Sequence, residues 1–105
     1  DRFNRIKFAV HKSRASNLIS EIFLNIDDQH MSEAGEWISK AIEINTQNGT
    51  RFYLGQSHHL YSEFYQKQDN LPQAREQVNK AIDIMKECGA DGWVERYEKE
   101  LADLL

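Results

Sequence analysis

The chain has 105 residues, 40% hydrophobic and 29% charged, with a formal net charge of −4. Those proportions belong to a folded globular domain and exclude intrinsic disorder, and the length suits one core of roughly two-thirds buried surface, not two domains. One proline and five glycines exclude a many-turned β-sandwich, and no apolar run approaches the ~18 residues that cross a bilayer.

The single cysteine, Cys88, has no internal partner for a disulfide, which fits a reducing cytoplasm. No signal peptide opens the chain, and the first residue, Asp1, is not a methionine, as expected of a piece of a longer protein. Charge is uneven along the sequence. Residues 1–14 hold Arg2, Arg5, Lys7, Lys12 and Arg14 against one acid, while the remaining 91 residues carry eight basic and sixteen acidic groups.

Phe3, Ile6 and Val10, then Leu18, Ile19, Ile22, Phe23 and Ile26, recur at helical spacing with no breaker among them. They predict one long helix from the start of the chain to about Asp27–Gln29. Ser32 with the acidic Glu33 predicts the cap of a second helix running to about Thr46, which Asn48-Gly49 ends. Thr50 predicts the cap of a third, carrying Phe52, Tyr53, Leu60, Tyr61, Phe64 and Tyr65. Asp69-Asn70 breaks the chain, and Pro72 opens a fourth helix with Ala74, Val78, Ala81, Ile82, Ile84 and Met85. Gly89 and Gly92 bracket a last break before a fifth helix, about Asp91 to Leu104. The reading is all-α: five helices, with short connections that make neighbours antiparallel.

The sequence also repeats itself. Ser32–Ile44 set above Pro72–Ile84 gives six identities in thirteen positions at a shift of 40 residues. The preceding helices match as Ser20-Glu21-Ile22-Phe23 on Ser62-Glu63-Phe64-Tyr65, at a shift of 42. A helix pair repeated near every 40 residues is the mark of a helical array, in which each pair needs a neighbour to cover its apolar face.

These residues resemble the tetratricopeptide repeat. The small Ser20 and Ser62, the aromatic Phe23 and Tyr65 three later, and the alanine pairs Ala34/Ala41 and Ala74/Ala81 with Ile38 and Val78 between them follow that family's pattern. The family's Trp, Leu-Gly and terminal Pro are missing, and the period exceeds its usual 34. The resemblance implies a right-handed superhelix of helix hairpins: a first pair over 1–46, a second over 50–88 and a capping helix over 91–104. The stretch Asn48–Leu54 and the closing Lys86–Leu101 look like the ends of bacterial adenylate or guanylate cyclases and ATPase-bearing regulators, implying a C-terminal part of such a signalling protein.

Catalysis finds no foothold. There is no phosphate-binding glycine loop ending in Gly-Lys-Ser/Thr, and no carboxylate pair is singled out as an acid/base couple. His58 and His59 point about 100° apart on a helix, and His59 with Glu63 gives two ligands without a third, so no metal is expected. Cys88 follows a helix C-terminus, where a thiolate is disfavoured. Trp37, Trp93, Phe23, Phe64, Tyr65 and Tyr97 read as packing residues. No catalytic residue and no cofactor are expected.

Binding remains. By the register of the resemblance, the first helix of each pair lines a concave face, with Asn17, Glu21 and Asn25 from one and Gln56, His59, Glu63 and Gln66 from the other. The matched Glu21 and Glu63 favour a basic or neutral segment of a partner protein, or another domain of the parent, over an acidic peptide tail. The alternative is a homodimer formed through Phe3, Ile6 and Val10 of the long first helix. Residues 1–14 have the charge for nucleic acid but no stacking platform or glycine loop, so nucleic acid is the less expected partner, and no membrane partner is expected.

Overall fold

The computed structural model describes residues 1–105. Five helices follow in order: α1 (Arg2–Ile26), α2 (Met31–Asn48), α3 (Arg51–Lys67), α4 (Leu71–Glu87) and α5 (Asp91–Asp103), with a single 3-10 turn at Asp28–His30 and no strand. Each helix packs on the next, and α1 also packs on α3, which makes two antiparallel hairpins and a closing helix. The slab they form measures 46 × 33 × 17 Å, and its surface of 6536 Å² exceeds the roughly 6,100 Å² of a rounder molecule of this mass.

The alanines occupy the seams. Ala34, Ala41, Ala74 and Ala81 have no exposed surface, nor do Ile38 and Val78 between them, and Ser20 and Ser62 are equally buried. Small side chains let helix axes approach to about 8–10 Å, and larger neighbours then fill the gaps. One core joins Leu24, Ala34, Ile38 and Leu60, with Phe23, Tyr61 and Phe64 packed against it. A second joins Val78, Ala81, Ile82, Met85 and Tyr97, closed by Trp93, Val94 and Leu101 of α5 and by Leu104 just after it.

Several helix ends differ from the sequence reading. Ser32 does not cap α2; the turn before it is capped by Asp27, whose carboxylate accepts from His30 N at 3.0 Å, and α2 begins at Met31. A hydrogen bond to the His30 ring, 2.6 Å away, holds the Asp27 carboxyl below its usual range and raises His30. The side chain of Thr50 makes no cap bond at the start of α3. Its hydroxyl turns back instead, to Asn45 Oδ1 at 3.0 Å and to Ser13 Oγ at 2.8 Å. Asn70 caps α4 by accepting from Gln73 N, and Pro72 stands in the first turn.

Gly49 and Gly89 both take the left-handed conformation that ends a helix, with φ of 67° and 68°. Gly92 marks no break. It lies inside α5, and nothing stands within 4 Å of where its Cβ would be. Helix α2 continues two residues past Thr46, to Asn48, and α5 stops at Asp103.

Buried Ala81 and open Gly92 therefore predict opposite effects. Ala81→Leu overfills the α4–α5 core and should lower stability by about 1–3 kcal/mol, whereas Gly92→Ala should raise it by about 0.5 kcal/mol. Urea midpoints measured by circular dichroism check both signs.

Candidate functional site

Consecutive helices alternate in direction, so α1, α3 and α5 run parallel, and together they line a groove of about 430 Å³. Of the residues expected there, Asn17, Glu21, Gln56, His59 and Glu63 line it. Asn25 does not: it lies beyond the groove and folds its amide back onto Glu21 O at 2.8 Å. Gln66 is also outside, donating to Ser62 Oγ at 3.2 Å on its own helix.

The third wall, α5, lies outside the expected set of groove residues. Trp93, Arg96 and Tyr97 of α5 line the groove, as do Arg14 of α1 and Phe52 of α3. Reading α5 only as a cap hid them, although Trp93, Arg96, Tyr97 and Glu100 recur at the spacing of one helix face. Arg96 sits over the Trp93 ring at 5.2 Å from its centroid, and Trp93 meets Phe52 edge-on at 6.1 Å.

Asn17 is less free than a groove residue needs to be. Its Nδ2 donates to Tyr53 O at 2.9 Å, tying α1 to α3. Its Oδ1 accepts from Ser57 Oγ and, at a long 3.4 Å, from Asn45 Nδ2, which gives its better bond to Ser57 Oγ at 2.8 Å. Asn45 and Ser57 have no exposed surface, and no buried side-chain nitrogen or oxygen in the molecule lacks a partner. A buried network satisfied this fully fixes the spacing of α1, α2 and α3 and thus the width of the groove.

His59 organises the other end. Its ring stacks on Tyr97 at 4.3 Å between centroids and 10° between planes. Nε2 hydrogen-bonds Glu100 across to α5, while Nδ1 faces Glu63 at 3.5 Å on its own helix. The two carboxylates thus lie on opposite edges of one ring, so they cannot close on a common ion with it, and no group of three or more His, Cys, Asp or Glu side chains is arranged to hold a metal. His58 points away, its ring 2.7 Å from Gln77 of α4, and burial lowers its pKa. Burial also raises the Tyr97 hydroxyl, with the Glu100 charge adding to it.

The electrostatics of the groove are graded. Arg14 and Arg96 lie toward the end where α3 and α5 start, and neither is in an ion pair. Glu21 and Glu63 lie toward the other end, about 10 Å further along at seven residues per step. Burial lifts Glu63 above its usual carboxylate range; His59 pulls it back, and Glu100 and Glu21 push it up again. Two carboxylates thus share one imidazole, and the Glu21 charge acts on Glu63 from α1.

Compared with protein-family models, with curated proteins and with solved structures, the chain matches none. No helix is long and apolar enough to cross a membrane. Cys88 is exposed.

The raised Glu63 has a consequence for stability. A carboxyl that binds its proton more tightly folded than unfolded contributes stability in full below the unfolded pKa, near 4.5, and that contribution is lost as pH rises through the folded value. Glu63→Gln should therefore raise the melting temperature at pH 7, with the gain shrinking to nothing as pH falls below 4.5. A pH series of thermal melts checks this; a gain independent of pH, or a loss at pH 7, contradicts it.

Proposed function

We propose that this chain is a non-catalytic protein-interaction module of the tetratricopeptide type, whose groove takes an extended segment of a partner protein. In this reading it serves as a regulatory or scaffolding part of a larger signalling protein. The observation that carries the proposal is the groove itself, walled by three parallel helices and held open by a fully satisfied buried network. Rigid walls lower the ordering cost of binding, so an extended segment can be held by modest contacts.

The charges select the segment. Glu21 and Glu63 stand one above the other at matched positions of the two hairpins, with Glu100 close by and only His59 between Glu63 and Glu100. A lysine or arginine side chain entering here would relieve the mutual repulsion and make charge-assisted hydrogen bonds. At the other end the Phe52 and Trp93 rings offer an apolar shelf beside Arg96. The best-fitting segment carries a basic residue and, about 10 Å away, an apolar or aromatic one with neutral or acidic neighbours.

Labelled extended peptides with an aromatic residue at one end, and Arg, Gln or Glu at the other, test this by fluorescence anisotropy. The Arg peptide should bind tightest, and Glu21→Gln with Glu63→Gln should weaken it about tenfold or more while leaving the Gln peptide unmoved. Equal binding of all three peptides, or indifference of the Arg peptide to the double substitution, contradicts the proposal.

A further inference from the structure

The two hairpins are related by a shift of 42 residues along α1 and α3, so positions 9–25 of α1 have counterparts in known surroundings. Leu60, Tyr61 and Phe64 of α3 pack with Leu24, Ala34 and Ile38 of the hairpin before it. The Phe64 ring lies so near Gly35 that a Cβ there would stand 3.0 Å from it. The counterparts in α1 are Leu18, Ile19 and Ile22; Ile19 is half-buried, and Leu18 and Ile22 are exposed. Leu60 is 8% exposed, whereas Leu18 is 51% and Ile22 56% exposed.

The stripe is longer than those three. Phe8, Ala15 and Ile26 are exposed as well and share a helix face with Leu18 and Ile22. The other end of the molecule is finished differently. There α5 turns Tyr97 inward and presents Glu95, Glu98, Lys99 and Asp103 to solvent. One end is closed by charge, and the other shows the side chains that the second hairpin uses for stacking.

We infer that the open face of α1 is the seat of one further helical hairpin of the same array, stacked on α1 as the hairpin α1–α2 stacks on α3. The second helix of that hairpin presents small residues where Ala34 and Gly35 stand and a branched apolar residue where Ile38 stands. The interface it forms continues the one already present between α2 and α3. A second copy of this chain fits less well. A two-fold pairing of α1 about Ala15 would bring Arg14 close to its own copy, and the charged outer face of α5 offers no apolar surface for head-to-tail stacking.

The Phe3, Ile6 and Val10 group expected to drive self-association belongs to another face. It continues the line of Ser13 and Asn17 toward α3 and is exposed because α3 starts only opposite Ser13.

The test is a fused chain in which a copy of residues 1–49 precedes Phe8, so that the copied Gly49 leads into residue 8 as Gly49 leads into Thr50. Amide exchange over residues 13–26 should slow about tenfold or more relative to the natural chain, with the fused protein monomeric by light scattering. Leu18→Asp with Ile22→Asp should abolish that slowing in the fused chain yet leave the circular dichroism of the natural chain unchanged. Exchange that does not slow would overturn the inference. So would a natural chain that is already a dimer and is split by the same two substitutions, because the face would then belong to a second copy.

Discussion

The close approach of helices across small side chains is the constraint on which the rest of this structure depends. Ala34, Ala41, Ala74 and Ala81 have no exposed surface, and Gly55 of α3 is so tightly faced by Met85 and Ile84 of α4 that a Cβ would stand 2.9 Å from the Met85 methyl. The serines in the same seams raise a second requirement, since a buried hydroxyl must find a partner. Ser20 finds it on its own helix, at Ser16 O, 2.8 Å away, and so leaves the neighbouring helix free to press close. Larger or unsatisfied groups at these places would push the helices apart and change the angle at which each pair meets the next.

The groove follows from that seam. Because the second helix of each hairpin is drawn in against the first, α1, α3 and α5 are left to form one wall-lined face between them, and side chains at helical spacing reach into it. The Asn17–Asn45–Ser57 network then sets the distance between the first three helices from within. Tyr97 and Trp93 set the distance to α5 through stacked and edge-on rings. What differs between the two ends of the groove is charge, with guanidinium groups at one and carboxylates at the other, and that gradient gives the surface its direction.

The helices and their seams were legible in the sequence because both rest on local periodicity. Alanines seven apart, with Ile38 or Val78 between them, can only face one way on a helix, and the repeat supplies the pattern twice. The caps were less legible. Ser32 and Thr50 are good capping residues by type, yet Asp27 and Asn45 claim the relevant bonds through a turn and a contact that spacing does not reveal. Gly92 reads as a breaker only if every glycine is taken as one, and in α5 it is a tolerated helical residue. In the groove, Glu21, Gln56, His59 and Glu63 come from the same register as the seam, whereas Glu100 reaches His59 from 41 residues away. Asn17 shows the limit of register alone: its place on the helix was right, but its amide is committed to Tyr53 and its carbonyl to Ser57.

The proposed docking of a basic segment in this groove fixes where such a ligand must sit. Amide chemical-shift mapping during titration with an arginine-bearing extended peptide tests it most directly, because it reports where the ligand sits and not only that it binds. Docking in the groove predicts shifts confined to α1, α3 and α5, centred on Glu21, Gln56, Glu63 and Arg96, with the Trp93 indole moving as well. Shifts on α2 and α4, with the groove residues silent at saturation, would contradict it.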